Sequence, residues 1–227
     1  MIVIKNAKLR SALKIAILLA IPLVIIIGSL VSEEKSYALI SLAVTVLALG
    51  LFLCGFEQKK IGTRRLVTVA VMVALSVVGR FIPLFKPITA LTIITAVYIG
   101  GEAGFLVGSL SAVISNFYFG QGPWTPFQMF AWGMIGLIAG LLAKQLKHHR
   151  IFLLAYGVVS GAAFSVIMDI WTVLWYNEGL VWELYSAAIV TALPHTVLYA
   201  VSNLVFLLLF AKPFGEKLER VKIKYGI

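Results

Sequence analysis

The chain has 227 residues, 61% of them hydrophobic and only 12% charged, with a formal net charge of +10. So apolar a composition excludes an ordinary soluble domain. The positive balance fits a basic surface facing anionic lipid headgroups rather than a nucleic-acid-binding protein.

The first apolar run, Ile15 to Val31, follows Lys5, Lys8, Arg10 and Lys14 in the manner of a secretory signal. No small-residue cleavage site and soluble domain come after it, so it is read as a retained helix with Pro22 as a kink. Tyr37 to Phe56 forms a second span, and Cys54 within it is the single cysteine. It is expected to pack in an apolar helix, and no internal disulfide or cysteine-based metal site is possible. The loop Glu57 to Arg65 holds Lys59, Lys60, Arg64 and Arg65 and is the best linker. It divides a two-helix membrane hairpin, residues 1–60, from a six-span body, residues 61–227.

The body opens with Leu66 to Ile82; Pro83 and Pro87 then bracket the way into Ile88 to Gly100. That fourth run is short against the ~20 residues that cross ~30 Å of hydrocarbon, so it is expected to tilt less or to end within the protein. Ala103 to Tyr118 and Phe127 to Ala143 follow, then Ile151 to Tyr176 and Tyr185 to Ala211. Lys144, Lys147 and Arg150 separate the sixth and seventh runs, and Lys212, Lys217, Arg220, Lys222 and Lys224 follow the eighth. No internal repeat or low-complexity tract interrupts the series.

Sixteen of the nineteen Lys and Arg residues therefore fall in four clusters, with only Lys35, Arg80 and Lys86 elsewhere. Basic residues flanking a span are retained on the cytoplasmic side, which puts both termini inside. The opposite loops carry Glu33, Glu34, Glu178 and Glu183. The expected fold is an all-α, multi-pass protein of the cell membrane with about eight transmembrane helices. Gly104 and Gly108, Gly136 and Gly140, and Gly157 and Gly161 each share a helix face, predicting close backbone approach and a compact bundle rather than a wide pore.

The candidate binding surface is on the outer side. The loop Asn116 to Gln128 combines Tyr118, Phe119, Trp124 and Phe127 with the amides of Asn116, Gln121 and Gln128. Aromatic faces beside amides suit a ligand with a flat apolar body and hydrogen-bonding edges. Phe81, Phe85, Trp171, Trp175 and Tyr176 extend the aromatic rim, and Trp182 and Tyr185 fit an interfacial belt equally well. Asp169 and His195 are ionisable groups inside spans, and such residues normally face a bundle interior or a wet cavity. A proton relay between them would be sparse, and Asn203 fits helix-to-helix glue.

Other chemistries find no support. The Gly-x-x-x-x-Gly-Lys-Ser/Thr loop is absent, so the chain does not bind ATP through a P-loop. His-Glu-x-x-His and Gly-x-Ser-x-Gly are absent too, and His148 and His149 sit in a basic loop, which disfavours a metal site or a hydrolase. Binding or transport is the better class, and no metal ligand set is assigned.

The six-span body resembles the substrate-binding S component of energy-coupling-factor (ECF) vitamin transporters. Ala70-Val-Met-Val-Ala74 stands where that family carries Ala-x-x-x-Ala for docking on its transmembrane coupling subunit. The run Gly-Gln-Gly-Pro-Trp-Thr-Pro-Phe-Gln-Met, within the loop that helps close the family's site, resembles S components of Gram-positive bacteria assigned to cobalamin. The resemblance covers about Ile61 to Ile227, and the two preceding helices depart from the family's six. It implies a coupling subunit and two cytoplasmic ATPases as partners, ATP bound by those partners, and no cofactor on this chain. It also implies a vitamin, cobalamin first, bound from outside at Phe85, Asn116, Tyr118, Phe119, Gln121, Trp124, Phe127, Gln128, Asp169, Trp175 and His195. Folate or pantothenate is the alternative ligand. A proton-coupled carrier using Asp169 and His195 is the rival mechanism, although the inverted repeats expected of many carriers are not seen.

Overall fold

The computed structural model describes residues 6–31, 37–54, 63–177 and 181–225, and every regular element among them is helical. In chain order these are α1 (Ala7–Val31), α2 (Tyr37–Cys54), α3 (Thr63–Gly79), α4 (Ile88–Ile99) and α5 (Gly101–Phe119). They continue with α6 (Trp124–Leu141), α7 (Ala143–His148), α8 (Arg150–Asn177) and α9 (Trp182–Tyr225). Eight of them fall on the eight apolar runs, and α7 is a short basic connector. By length and composition Ala7–Ile27, Arg150–Leu174 and Trp182–Tyr225 are each sufficient to cross a membrane. Most of the linker Glu57 to Arg65, with Lys59 and Lys60, lies outside the described residues, as do Glu33, Glu34, Lys35 and Glu178; so do the side chains of Cys54 and Trp175.

The termini of the elements depart from the sequence reading in two instructive ways. Helix α1 begins at Ala7 and α9 runs on to Tyr225, because Lys and Arg are good helix formers and the helices continue out of the apolar zone. At 44 residues α9 is about 66 Å long, roughly twice the hydrocarbon thickness. Pro22 lies inside α1 without ending it.

Helix α4 is the centre of the bundle. Its 12 residues span only ~18 Å, and ten of them, from Ile88 to Ala96 with Ile99, are buried. It is packed against α3, α5, α6 and α9. An apolar pattern without a polar stripe is what a helix surrounded by other helices requires.

Glycine seams bring the neighbours close. A Cβ on Gly104 would meet Ala96 and the Gly136 carbonyl, and one on Gly136 would meet the Gly104 backbone and Thr92. Gly161 abuts the Ala200 backbone of α9, and Gly157 lies against Leu207. Without a hydrophobic driving force between helices in lipid, such backbone approach supplies the dispersion contacts that hold the bundle.

The N-terminal hairpin packs through α2 on α5 and α6, with Ile21, Val44, Ala48 and Leu51 fully buried. A Lys14 to Glu102 ion pair of 2.5 Å ties α1 to the start of α5. Helix α3 remains outside this contact, and Ala70 and Ala74 both lie exposed on it.

Candidate binding site

At the end of the bundle away from the basic clusters, the chain between α3 and α4 makes a tight reversal. Leu84 there adopts φ 66°, a region that non-glycine residues seldom occupy, between Pro83 and Pro87. The backbone N–H of Lys86 donates to Ser202 Oγ at 2.8 Å, and that hydroxyl donates back to the Lys86 carbonyl at 3.0 Å, fastening the reversal to α9. The Lys86 ammonium donates to the Arg80 carbonyl at 2.7 Å. Burial, followed by the nearby Arg80 guanidinium, lowers the Lys86 pKa from the usual lysine value.

This reversal aims Arg80 across the end of α5. Its Nη1 donates to Ser115 Oγ and to Asn116 Oδ1, both at 2.5 Å. The guanidinium also lies 4.8 Å from the ring centre of Phe119 and 5.7 Å from that of Trp132, within cation–π reach. Asn116 is fully buried and spends its amide donors on Thr125 Oγ1 at 2.8 Å and Gln128 Oε1 at 2.9 Å. The Thr125 hydroxyl donates to Gln121 Oε1 at 3.0 Å, and Gln121 Nε2 donates to the Val113 carbonyl at 2.8 Å. One connected network thus carries a cation, three amides and two hydroxyls across the ends of α3, α5 and α6.

Aromatic rings flank the network. Trp132 stacks on Phe164 at 4.5 Å with planes 13° apart, and Tyr199 meets the edge of Phe164 at 5.3 Å. Trp132 Nε1 donates to Thr89 Oγ1 at 3.2 Å. Further out, Phe81 contacts Tyr118 at 4.6 Å and Phe119 at 4.9 Å, with Tyr118 largely exposed. Trp124 meets Trp171 edge to face at 5.7 Å.

The residues expected from sequence divide accordingly. Asn116, Gln121 and Gln128 are joined in the network, and Phe119 and Tyr118 stand beside it. Phe85 is half-buried in the reversal, and Phe127 packs in the apolar core rather than on a rim. Asp169 is buried in α8, whereas His195 is exposed on α9. Among the described residues no hydrogen bond or ion pair joins Asp169 to His195. The expected loop Asn116 to Gln128 is largely helix: α5 runs through Phe119 and α6 begins at Trp124. The turn needs only four residues because Gly120 takes φ 102°, which an L side chain rarely adopts.

Arg80, Thr125, Trp132, Phe164 and Tyr199 are members that the sequence reading did not single out. Arg80 had left a signal: with Lys35 and Lys86 it is one of three basic residues outside the four clusters, and a cation at an end otherwise short of base needs a reason. Trp132, Phe164 and Tyr199 sit in mid-helix, where an aromatic reads as ordinary lipid-facing or core packing. Among the described residues no group of His, Cys, Asp and Glu is suited to hold a metal ion.

The family model described as the ECF-type riboflavin transporter, S component, matches residues 60–219. No curated protein and no solved structure matches the chain significantly. This match names the riboflavin family and does not support the cobalamin type expected from the Gly-Gln-Gly-Pro-Trp run; aromatic rings and amides are common to the sites of many flat ligands and do not separate them. With more than two thirds of its length matched and an all-helical membrane bundle, the chain belongs to the ECF-type riboflavin transporter S-component family, as a transporter subunit working with an ECF module of membrane and ATPase subunits rather than as an enzyme.

Proposed function

We propose that this chain binds riboflavin from the outer side of the membrane and delivers it inward together with its ECF module. The observation that carries the reading is the family match over residues 60–219. The site chemistry is compatible: riboflavin has a flat three-ring body with hydrogen-bonding edges and a hydroxylated chain. The Trp132–Phe164 stack and Tyr199 offer aromatic faces, and Arg80, Gln121 and Gln128 offer donors and acceptors. Riboflavin is cargo in this reading, and ATP is held by the ATPase partners.

Orientation follows the basic clusters, with both termini and the Tyr98 end of α4 facing the cytoplasm. Docking on the coupling subunit is assigned to the face of α3 that carries Ala70 and Ala74. Both are exposed there, beside the exposed apolar Val67, Val71 and Val78. The hairpin α1–α2, bound to the α5–α6 side, leaves this face free. A proton carrier is less well supported, since His195 is exposed and separate from Asp169.

Riboflavin fluorescence tests the assignment. Titration of the purified chain should quench the flavin saturably, with cobalamin, folate and pantothenate failing to compete, and proteoliposomes should accumulate riboflavin only with the ATPases and ATP. Cobalamin binding in place of riboflavin would overturn the ligand; uptake without ATPases would overturn the mechanism.

A further inference from the structure

A separate cavity of ≈430 Å³ opens at the far end of α4, between α7, the start of α8 and the C-terminal half of α9. Its wall is apolar, including Val97, Leu153 and Leu208, and its rim carries Lys147, Arg150 and Lys212. Two acidic residues also line it, but both have basic partners: Glu219 accepts from Lys147 at 2.5 Å and Glu216 pairs with Arg220 at 3.7 Å. Arg150 and Lys212 have no such partner among the described residues. Arg150 is also the first residue of the 28-residue α8, whose opening N–H groups lack intrahelical acceptors and favour an anion.

The apolar side of this cavity faces outward. Leu208 is 40% exposed, Leu209 62%, and the neighbouring Ile151 85%. A cavity with two unpaired cations at one level and an open leucine wall at the next matches a molecule that is anionic at its head and hydrocarbon below. Free phosphate would use only the rim, and a soluble peptide would leave the wall in contact with lipid.

We propose that this cavity is a binding site for one anionic phospholipid, with its phosphate at Arg150 and Lys212 and an acyl chain along Leu153 and Leu208. The site is remote from the Arg80 network, at the opposite end of α4, and requires only that the basic end lie at headgroup level. It is therefore independent of the vitamin assignment.

Native mass spectrometry of the full chain tests it, with detergent-solubilised protein titrated with phosphatidylglycerol, phosphatidylcholine or inorganic phosphate. Phosphatidylglycerol should be retained at least tenfold more strongly than phosphatidylcholine. Arg150→Gln and Lys212→Gln should each weaken it about fivefold and together about thirtyfold, as expected for ~1 kcal/mol per basic residue near an anionic surface. Removing the same charge elsewhere, with Lys8→Gln and Lys217→Gln, should leave it unchanged. All four side chains are exposed, so the variants should elute as folded protein. Equal retention of the two lipids, equal loss in both double variants, or competition by inorganic phosphate as strong as by the lipid would each overturn the site.

Discussion

The bond from Arg80 to Asn116 should be energetically coupled, and a double-mutant cycle measures how strongly. Asn116 is fully buried, and its Oδ1 receives the Arg80 guanidinium at 2.5 Å. Arg80→Met leaves that oxygen without its donor, while Ser115 keeps its bond to the Ser111 carbonyl at 2.6 Å. One hydrogen bond from a charged donor is worth about 1.5–3 kcal/mol, and the half-buried position of Arg80 favours the lower end. Asn116→Ala removes the same bond from the other side and also strands the Gln128 acceptor. Each single change should cost about 2 kcal/mol, and the double change should fall short of their sum by about 1.5 kcal/mol, since the shared bond can be lost only once. Unfolding of the purified chain in a denaturing detergent gives the stabilities, and flavin titration of the same four proteins gives affinities, expected to drop at least tenfold in every variant. Additivity within ~0.5 kcal/mol would refute the coupling. Unchanged affinity would show that the network braces the bundle without serving the ligand.

Gly136→Ala should destabilise the chain by about 1–3 kcal/mol, because the new Cβ meets the Gly104 backbone, which cannot move aside; Gly50→Ala should be neutral or slightly stabilising, since its nearest neighbour is the Ile17 methyl at 3.5 Å. Thermal unfolding of both variants decides this, and equal effects would remove the seam from the argument. Trp132→Ala should weaken riboflavin binding by about 2 kcal/mol, roughly thirtyfold, while Trp182→Ala, exposed on α9, should leave it unchanged. Identical affinities would return Trp132 to simple packing. Ala70→Trp or Ala74→Trp should preserve riboflavin binding and abolish ATP-dependent uptake; normal assembly with the ECF module would move the docking surface away from α3.

Much of the architecture is legible in the residues alone, because a bilayer imposes one dominant constraint. Every backbone polar group must be satisfied within its own segment, so a run of apolar residues is a helix and its Lys and Arg mark its ends. The eight runs therefore correspond to eight helices, and the short fourth run corresponds to the 12-residue α4. Gly104, Gly136 and Gly161 announced close packing by their spacing. The same constraint hides which face of each helix looks inward: lipid-facing and core-facing leucines are equally apolar, so Phe127 and His195 could not be placed.

The sequence by itself determined the helical membrane class, the order of the spans, and the presence of amides and aromatics at one end; these follow from composition and short-range spacing. Tertiary structure alone decided that Arg80, far from its partners in the chain, closes on Ser115 and Asn116, and that Trp132, Phe164 and Tyr199 from three helices form one aromatic cluster. It likewise placed the hairpin on α5 and α6, leaving Ala70 and Ala74 exposed. Such juxtapositions depend on helix rotation and on which backbones approach most closely, and a one-dimensional pattern of apolar residues carries almost no record of either.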